Sequence, residues 1–456
     1  SDKVPPRRRR SIERRNSREG RSTRLYSPPI QRQGSLAAFF MPSLSSRMSN
    51  DLPRLLATSA ASLVLGIVGT ASVFIAWVQR MAPPKLYYMP TAANRKLILA
   101  MPLLFRSYVP NLLSWNAHAA GFFGYFKLPG KRPDWTERIT LPDGGTVCLS
   151  WASQPVDGGA VILLLPGINN PSSMPYVRHL MSLLVKEGLG HVAALDWRGL
   201  GEAGPLTSAS STPRPYCAAC AGDITSVLTH LRARLPNSKL YAVGWSLGGG
   251  LLLSHMGTTG DGCLLQAAMA VSPLMDMVAN YEHMARHPHT HLYLPVIMMP
   301  LIAYLFKHRT ALATGDTPIS WWRDVLPAAR HRYGLDGLYA KLWGLDGAAE
   351  YHRVGSSVHL LPRVRRTTLV VHSADDPICP MTAMPLEEMA RNPHLITAIT
   401  RHGGHMGYTA GLSPLAHTWT DRLLVHFLRA HLQSGAAELA EREVEEEPRV
   451  HLQSKL

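Results

Sequence analysis

Between residues 161 and 271 the chain alternates short, wholly apolar runs (161–165, 192–195, 240–243 and 267–271) with stretches of helical character. Runs this short, with no polar residue in alternation, are strands covered on both faces. Strands that alternate with helices wind into a mostly parallel sheet with helices on both sides. Two of the helices carry boundary signals. Residues 176–186 are closed by Gly188, and residues 224–235 are closed by Pro236, with Asp223 predicted as the N-cap. Upstream, residues 136–141 and 146–151 flank Asp143-Gly144-Gly145 and predict a hairpin, since Asp-Gly supplies the positive φ of a tight turn. Downstream, strands at 367–371 and 395–399 follow only after a long block that reads as a helical cap inserted late in the sheet.

The chain has 456 residues, 46% hydrophobic and 17% charged, enough to bury a sizeable core and too apolar for a disordered, collagen-like or coiled-coil chain. Its five cysteines (Cys148, Cys217, Cys220, Cys263 and Cys379) are few and odd in number, which argues against a disulfide scaffold and suits a reducing solvent. Cys217 and Cys220 have redox spacing, but without a second pair they are read as structural. His283, His287, His289 and His291 are read as a solvated basic face of the cap, so neither metal nor cofactor is expected.

The net charge of +16 is concentrated at the N-terminus. Residues 1–54 hold thirteen Lys and Arg against Asp2, Glu13, Glu19 and Asp51. A Ser/Arg/Pro-rich segment of this kind cannot bury enough apolar surface to offset its ordering entropy, and a disordered basic arm is expected rather than a nucleic-acid module. It leads into residues 55–78, which carry no charge and give 24 residues of helix, about 36 Å at ~1.5 Å per residue, enough to cross a ~30 Å hydrocarbon core. Trp77 and Arg80 sit where interface anchors belong. Orientation stays open, because the basic tail and the close-lying Arg80, Lys85, Arg95 and Lys96 pull in opposite directions.

The chemistry is concentrated after the strand at 240–243. Gly244-Trp245-Ser246-Leu247-Gly248 is a G-x-S-x-G between strand and helix, the context a nucleophile elbow needs, with glycines where a Cβ would block a strained turn. A serine hydroxyl needs a base to take its proton and a carboxylate to orient that base, in the chain order Ser, Asp, His. After the strand at 367–371 comes His372-Ser373-Ala374-Asp375-Asp376-Pro377-Ile378-Cys379-Pro380, and after 395–399 comes His402-Gly403-Gly404-His405. Asp376 is favoured over Asp375 by the x-I-x-P turn that follows it, and His405 over His402 by the two preceding glycines. Asp375 and Asp276 remain fallback acids. For the oxyanion, the backbone amides of Leu247 and of Ile168, in the Pro166-Gly167-Ile168-Asn169 loop, are the expected donors.

LPGINNPSSMPYVRHL, LDWRGLGEAG, YAVGWSLGGGLLLS, VSPLMDM, SADDPICP and GGHMGY, in this order over roughly residues 100–430, resemble the motifs of the YheT-like, embryogenesis-associated branch of the α/β-hydrolases. That branch includes single-anchor membrane lipases and medium-chain ester synthases. The resemblance implies an α/β-hydrolase fold, an N-terminal membrane anchor and action on acyl esters of lipids. The chain departs from the pattern at Pro166, where the family usually has His, which leaves the backbone donors in place but no side-chain helper.

The resulting expectation is a basic tail (1–54), a transmembrane helix (55–79), a connector (80–135), an α/β-hydrolase core in two parts (136–277 and 363–433) around a helical cap (278–362), and an acidic tail (434–456). The expected partners are a lipid or acyl-ester substrate and a membrane. The apolar stretch 292–306, broken by Pro295 and Pro300, reads equally as core or as a lid that lines an acyl channel or dips into a bilayer. The expected activity is acyl-ester hydrolysis through an acyl-enzyme on Ser246, His405 and Asp376. An acyltransferase that resolves the same intermediate with an alcohol is the first alternative, and a catalytically silent scaffold the second. Ser454-Lys455-Leu456 is a peroxisomal or glycosomal import tripeptide, in tension with an endoplasmic-reticulum anchor; the chain does not open on Met, so its ends need not be native.

Overall fold

The structure, a computed structural model, describes residues 43–78, 81–114, 116–206, 213–286, 289–331 and 334–434. The basic tail before residue 43, most of the acidic tail with its terminal tripeptide, and His287 lie outside them, as does the side chain of His289. Two units are distinguished, Ser1–Ala71 and Ser72–Leu456.

Helix α1 (Ser43–Val78) starts inside the stretch expected to be a disordered tail. Once a helix is nucleated over an apolar run, extending it costs little per residue. Within it, Thr58–Ala76 is long and apolar enough to cross a membrane by length and composition, and those side chains are exposed.

The second unit is built on nine strands: β1 (Lys85–Tyr88), β2 (Trp135–Thr140), β3 (Thr146–Trp151), β4 (Ala160–Leu165), β5 (His191–Asp196), β6 (Lys239–Trp245), β7 (Leu265–Val271), β8 (Thr367–Ser373) and β9 (Leu395–Thr400). They form one sheet in the order β1-β9-β8-β7-β6-β4-β5-β3-β2. Pairing is parallel from β9 to β5 and antiparallel at both ends. This is the α/β-hydrolase architecture, with helices on both faces and a helical cap inserted between β7 and β8.

The apolar runs are explained by their two buried faces. In β4, Val161, Leu163 and Leu165 belong to one core layer while Ile162 and Leu164 belong to the other, and all are at most 1% exposed. The segment expected to be a connector is part of the fold. β1 pairs antiparallel with β9, α2 (Ala92–Leu99) is capped by Thr91, and α3 (Ala117–Tyr125) is capped by Asn116, whose Oδ1 accepts the Ala119 amide at 2.8 Å. β1 makes the strand that leads to the serine the sixth in chain order.

Helix α4 (Pro175–Lys186) ends as expected, with Gly188 at φ 65°. At α5 (Ala221–Arg234) the expected cap is corrected: Cys220 occupies the N-cap, and Asp223 instead accepts Arg198 Nε and Nη2, both at 2.7 Å. An aspartate drawn into a buried ion pair is not free to bond its own helix terminus. Asp143 of the hairpin turn closes the same guanidinium at 2.7 Å, locking the loop after β5. The cap rests on that loop. Tyr304 Oη, on the cap helix Leu294–Lys307, donates to the Arg198 carbonyl at 2.8 Å, and a Cβ on Gly199 would lie 2.7 Å from the same hydroxyl.

Candidate active site

Ser246 stands between β6 and helix α6 (Leu247–Thr259) at φ 51°, ψ −118°, a conformation that costs a non-glycine residue about 1–3 kcal/mol and is held only by its surroundings. Here the Ser246 amide donates to the Val271 carbonyl, and its own carbonyl accepts the Gly250 and Leu274 amides, each at 3.0 Å. The two glycines of the motif are required by close approach: a Cβ on Gly244 would lie 2.5 Å from the Gly248 carbonyl oxygen, and one on Gly248 would lie 2.2 Å from that of Leu165.

The acid and the histidine come from the ends of β8 and β9. Asp376 Oδ1 accepts the amides of Ile378 and Cys379, both at 2.9 Å, so the turn at x-I-x-P pins the carboxylate. Its Oδ2 lies 2.9 Å from His405 Nδ1, and His405 Nε2 lies 2.9 Å from Ser246 Oγ. An ionised carboxylate only accepts, so Nδ1 carries the proton that bonds Asp376 and Nε2 is left to accept from the serine hydroxyl. Burial alone would raise the Asp376 pKa, but His405 beside it holds the carboxyl below the usual aspartate range. Burial pulls His405 down, and the Asp376 carboxylate, together with Cys379 beside it, more than offsets this, leaving the imidazole above its ordinary 6.5.

The fallback acids lie elsewhere. Asp375 accepts the Gly404 amide at 2.9 Å and faces His402 Nδ1 at 3.0 Å, so it ties down the loop that carries His405. Asp276 caps helix α7 (Met277–Met284) by accepting the Ala279 amide at 3.1 Å. Ile168 and Leu247 both line the cleft that opens at Ser246. In the loop after β4 the Gly167 amide donates to Tyr176 Oη at 3.1 Å, and the next amide along is that of Ile168.

The cleft holds about 900 Å³ of empty space, mouth included. Its wall is mostly apolar: Met277 from α7 and Leu294, Ile297, Met298 and Leu301 from one side of the cap helix. Of the apolar stretch 292–306, the part from Leu294 to Leu301 thus puts one side on the cavity. Cys217 also lines it, and burial pushes its thiol well up, the opposite of what a redox nucleophile needs.

Two parts of the site had no motif to reveal them. Asn280 of α7 donates to the Ile378 carbonyl at 3.1 Å and to Cys379 Sγ at 3.3 Å, bracing the acid turn from the cap. α3 packs on the histidine loop, where a Cβ on Gly124 would lie 2.4 Å from Gly407 Cα. Among the described residues, Asp376, Cys379 and His405 bring metal-capable atoms within 4.8 Å of one another, as do His179, His417 and Asp421. In the first group the carboxylate and imidazole already bond each other.

Comparison with known proteins places these features in a family. A family model described as serine aminopeptidase, S33, matches residues 158–402. The embryogenesis-associated protein EMB8 of Picea glauca is 28% identical over 355 residues, covering 74% of this chain and 75% of its own length. Phospholipase ABHD3 of Mus musculus is 27% identical over 384 residues, covering 82% and 90%. Monoacylglycerol lipase ABHD2 of Bos taurus is 25% identical over 378 residues, covering 77% and 86%.

Proposed function

The chain belongs to the serine aminopeptidase (S33) family of α/β-hydrolases, and from that premise we propose that it is a membrane-anchored serine hydrolase that cleaves acyl esters of lipids. The observation that carries this reading is the run of hydrogen bonds from Asp376 through His405 to Ser246, opening on an apolar cleft. Ser246 Oγ attacks the ester carbonyl while His405 Nε2 takes its proton, and Asp376 holds the imidazolium that forms. The amides of Leu247 and Ile168 face the developing oxyanion. His405 then protonates the departing alcohol and leaves an acyl-serine. Water attacks this next, giving its proton to His405; the bond from the acyl carbon to Ser246 Oγ then breaks as His405 returns that proton to Oγ, releasing the acid and restoring the serine hydroxyl. The apolar wall suits an acyl chain, and similarity to a phospholipase and a monoacylglycerol lipase supports lipid esters as the class.

The purified chain, supplied with a panel of phospholipid and glycerolipid esters, is expected to release free fatty acid. A product that appears only when an alcohol is added, as a new ester, identifies an acyltransferase instead. No turnover of any ester, together with no labelling by a fluorophosphonate, leaves a scaffold.

The membrane anchor in this reading is α1. Deleting residues 1–80 is expected to move the chain from the carbonate-resistant pellet toward the soluble fraction, with turnover of a short soluble ester retained. Full retention in the pellet rules out α1 as the single anchor.

A further inference from the structure

In the unit that carries the sheet, exposed large apolar side chains gather beside the cleft. Leu113 (57% exposed) precedes α3, Phe122 (58%) and Phe126 (48%) lie on and just after it, and Leu412 (102%) lies in the loop beyond His405. Val296 (64%) and Met299 (68%) lie on the cap helix Leu294–Lys307. These segments meet. A Cβ on Gly121 would lie 3.3 Å from the His405 carbonyl oxygen, Asn111 Nδ2 donates to the Leu412 carbonyl at 3.0 Å, and the His118 ring stacks on Tyr293 at 5.5 Å between centroids. The cap helix is apolar all round: Leu294, Ile297, Met298 and Leu301 line the cleft while Val296 and Met299 point outward. A soluble surface helix keeps its outer face polar.

The charge of this face is equally one-sided. Residues 81–133, 283–315 and 389–420 contain no Asp or Glu, although the chain has 31 of them. Arg106 and Arg132, both exposed, lie in the first of these stretches. An apolar surface built from segments that hold no carboxylate and carry exposed arginines complements an anionic lipid interface.

We propose that this face docks on a lipid bilayer bearing anionic headgroups, so that an ester substrate passes from the bilayer into the cleft without crossing water. The benefit to turnover rests on the lipid-ester reading above; the docking itself rests on the surface alone. All five native cysteines are buried, so single cysteines introduced by Leu113→Cys, Phe122→Cys and Val156→Cys can be labelled selectively with an environment-sensitive fluorophore in the full chain. Val156 is exposed and precedes β4, at the end of the sheet opposite Ser246. In proteoliposomes of phosphatidylcholine and phosphatidylserine, nitroxide-labelled lipids are expected to quench positions 113 and 122 several-fold more than 156. The difference should shrink when phosphatidylserine is omitted or salt is raised. Equal quenching at all three positions overturns the proposal.

A triple variant, Leu113→Glu, Phe122→Glu and Leu412→Glu, is expected to lose about tenfold in turnover of a bilayer-embedded ester while keeping its rate on a soluble one. Equal loss on both esters, or on neither, also overturns it. Strong quenching at 113 and 122 without any lipid-ester turnover leaves the docking standing and removes the substrate reading, and the converse pattern does the reverse.

Discussion

Ser246→Ala is expected to lower turnover by about 10⁶-fold and to abolish labelling by a fluorophosphonate, because removing the nucleophile of such a unit costs about as much as removing the whole unit. The fold should persist. The strained backbone at φ 51° is held by hydrogen bonds of the Ser246 amide and carbonyl, which Ala retains, and Ala has the same Cβ. The variant loses one side-chain bond, that between Oγ and His405 Nε2, so thermal unfolding should stay close to that of the parent. What activity remains reports on the Leu247 and Ile168 amides and on binding in the cleft, which in related triads still give about 10³–10⁴ over water. Persistent labelling of the Ala variant means that another residue is the nucleophile, and the mechanism falls.

Much of this site is legible in the sequence because each part is a local backbone device. The elbow needs glycines at 244 and 248, where the neighbouring carbonyls leave no room for a Cβ, and the acid turn offers the Ile378 and Cys379 amides two and three residues after Asp376. The histidine loop needs Gly404, which sits at φ 59° with its Cβ position 2.1 Å from the Ala117 carbonyl oxygen. Such requirements leave a pattern in neighbouring residues. Long-range pairing leaves none. The four residues of β1 are too few for any period to show, and they become a strand only because β9 offers them an edge. Asp223 has every local mark of a helix cap, yet a buried Arg198 from another loop outcompetes the helix terminus for its carboxylate. Asn280 reaches the acid turn across 98 residues of chain, and no spacing rule connects the two.

Asp376→Asn is expected to lower turnover by about 10⁴-fold, since an amide can donate to His405 Nδ1 and so fix the wrong tautomer. The neighbouring acid gives the contrast. Asp375→Asn keeps an oxygen to accept the Gly404 amide and should cost within about tenfold, and Asp276→Asn keeps a good helix cap and should cost almost nothing. A loss of 10⁴ at either of those positions assigns the acid there instead. The pH dependence supplies a second readout. His405 must be neutral to accept the serine proton, and Asp376 raises its pKa above 6.5, so the ascending limb of kcat/KM in the parent should lie on the alkaline side of that value. In Asp376→Asn the carboxylate no longer opposes burial, and the limb should move to lower pH. Stability follows the same ion pair. A raised folded pKa at His405 contributes stability that is fully present below 6.5 and is lost as pH rises through the folded value. The parent should therefore lose unfolding free energy on going from neutral to alkaline pH more steeply than Asp376→Asn does, as read from denaturant midpoints at each pH. Identical pH slopes in the two proteins mean that the carboxylate and the imidazole do not share a proton-linked pair, and the role given to Asp376 fails with them.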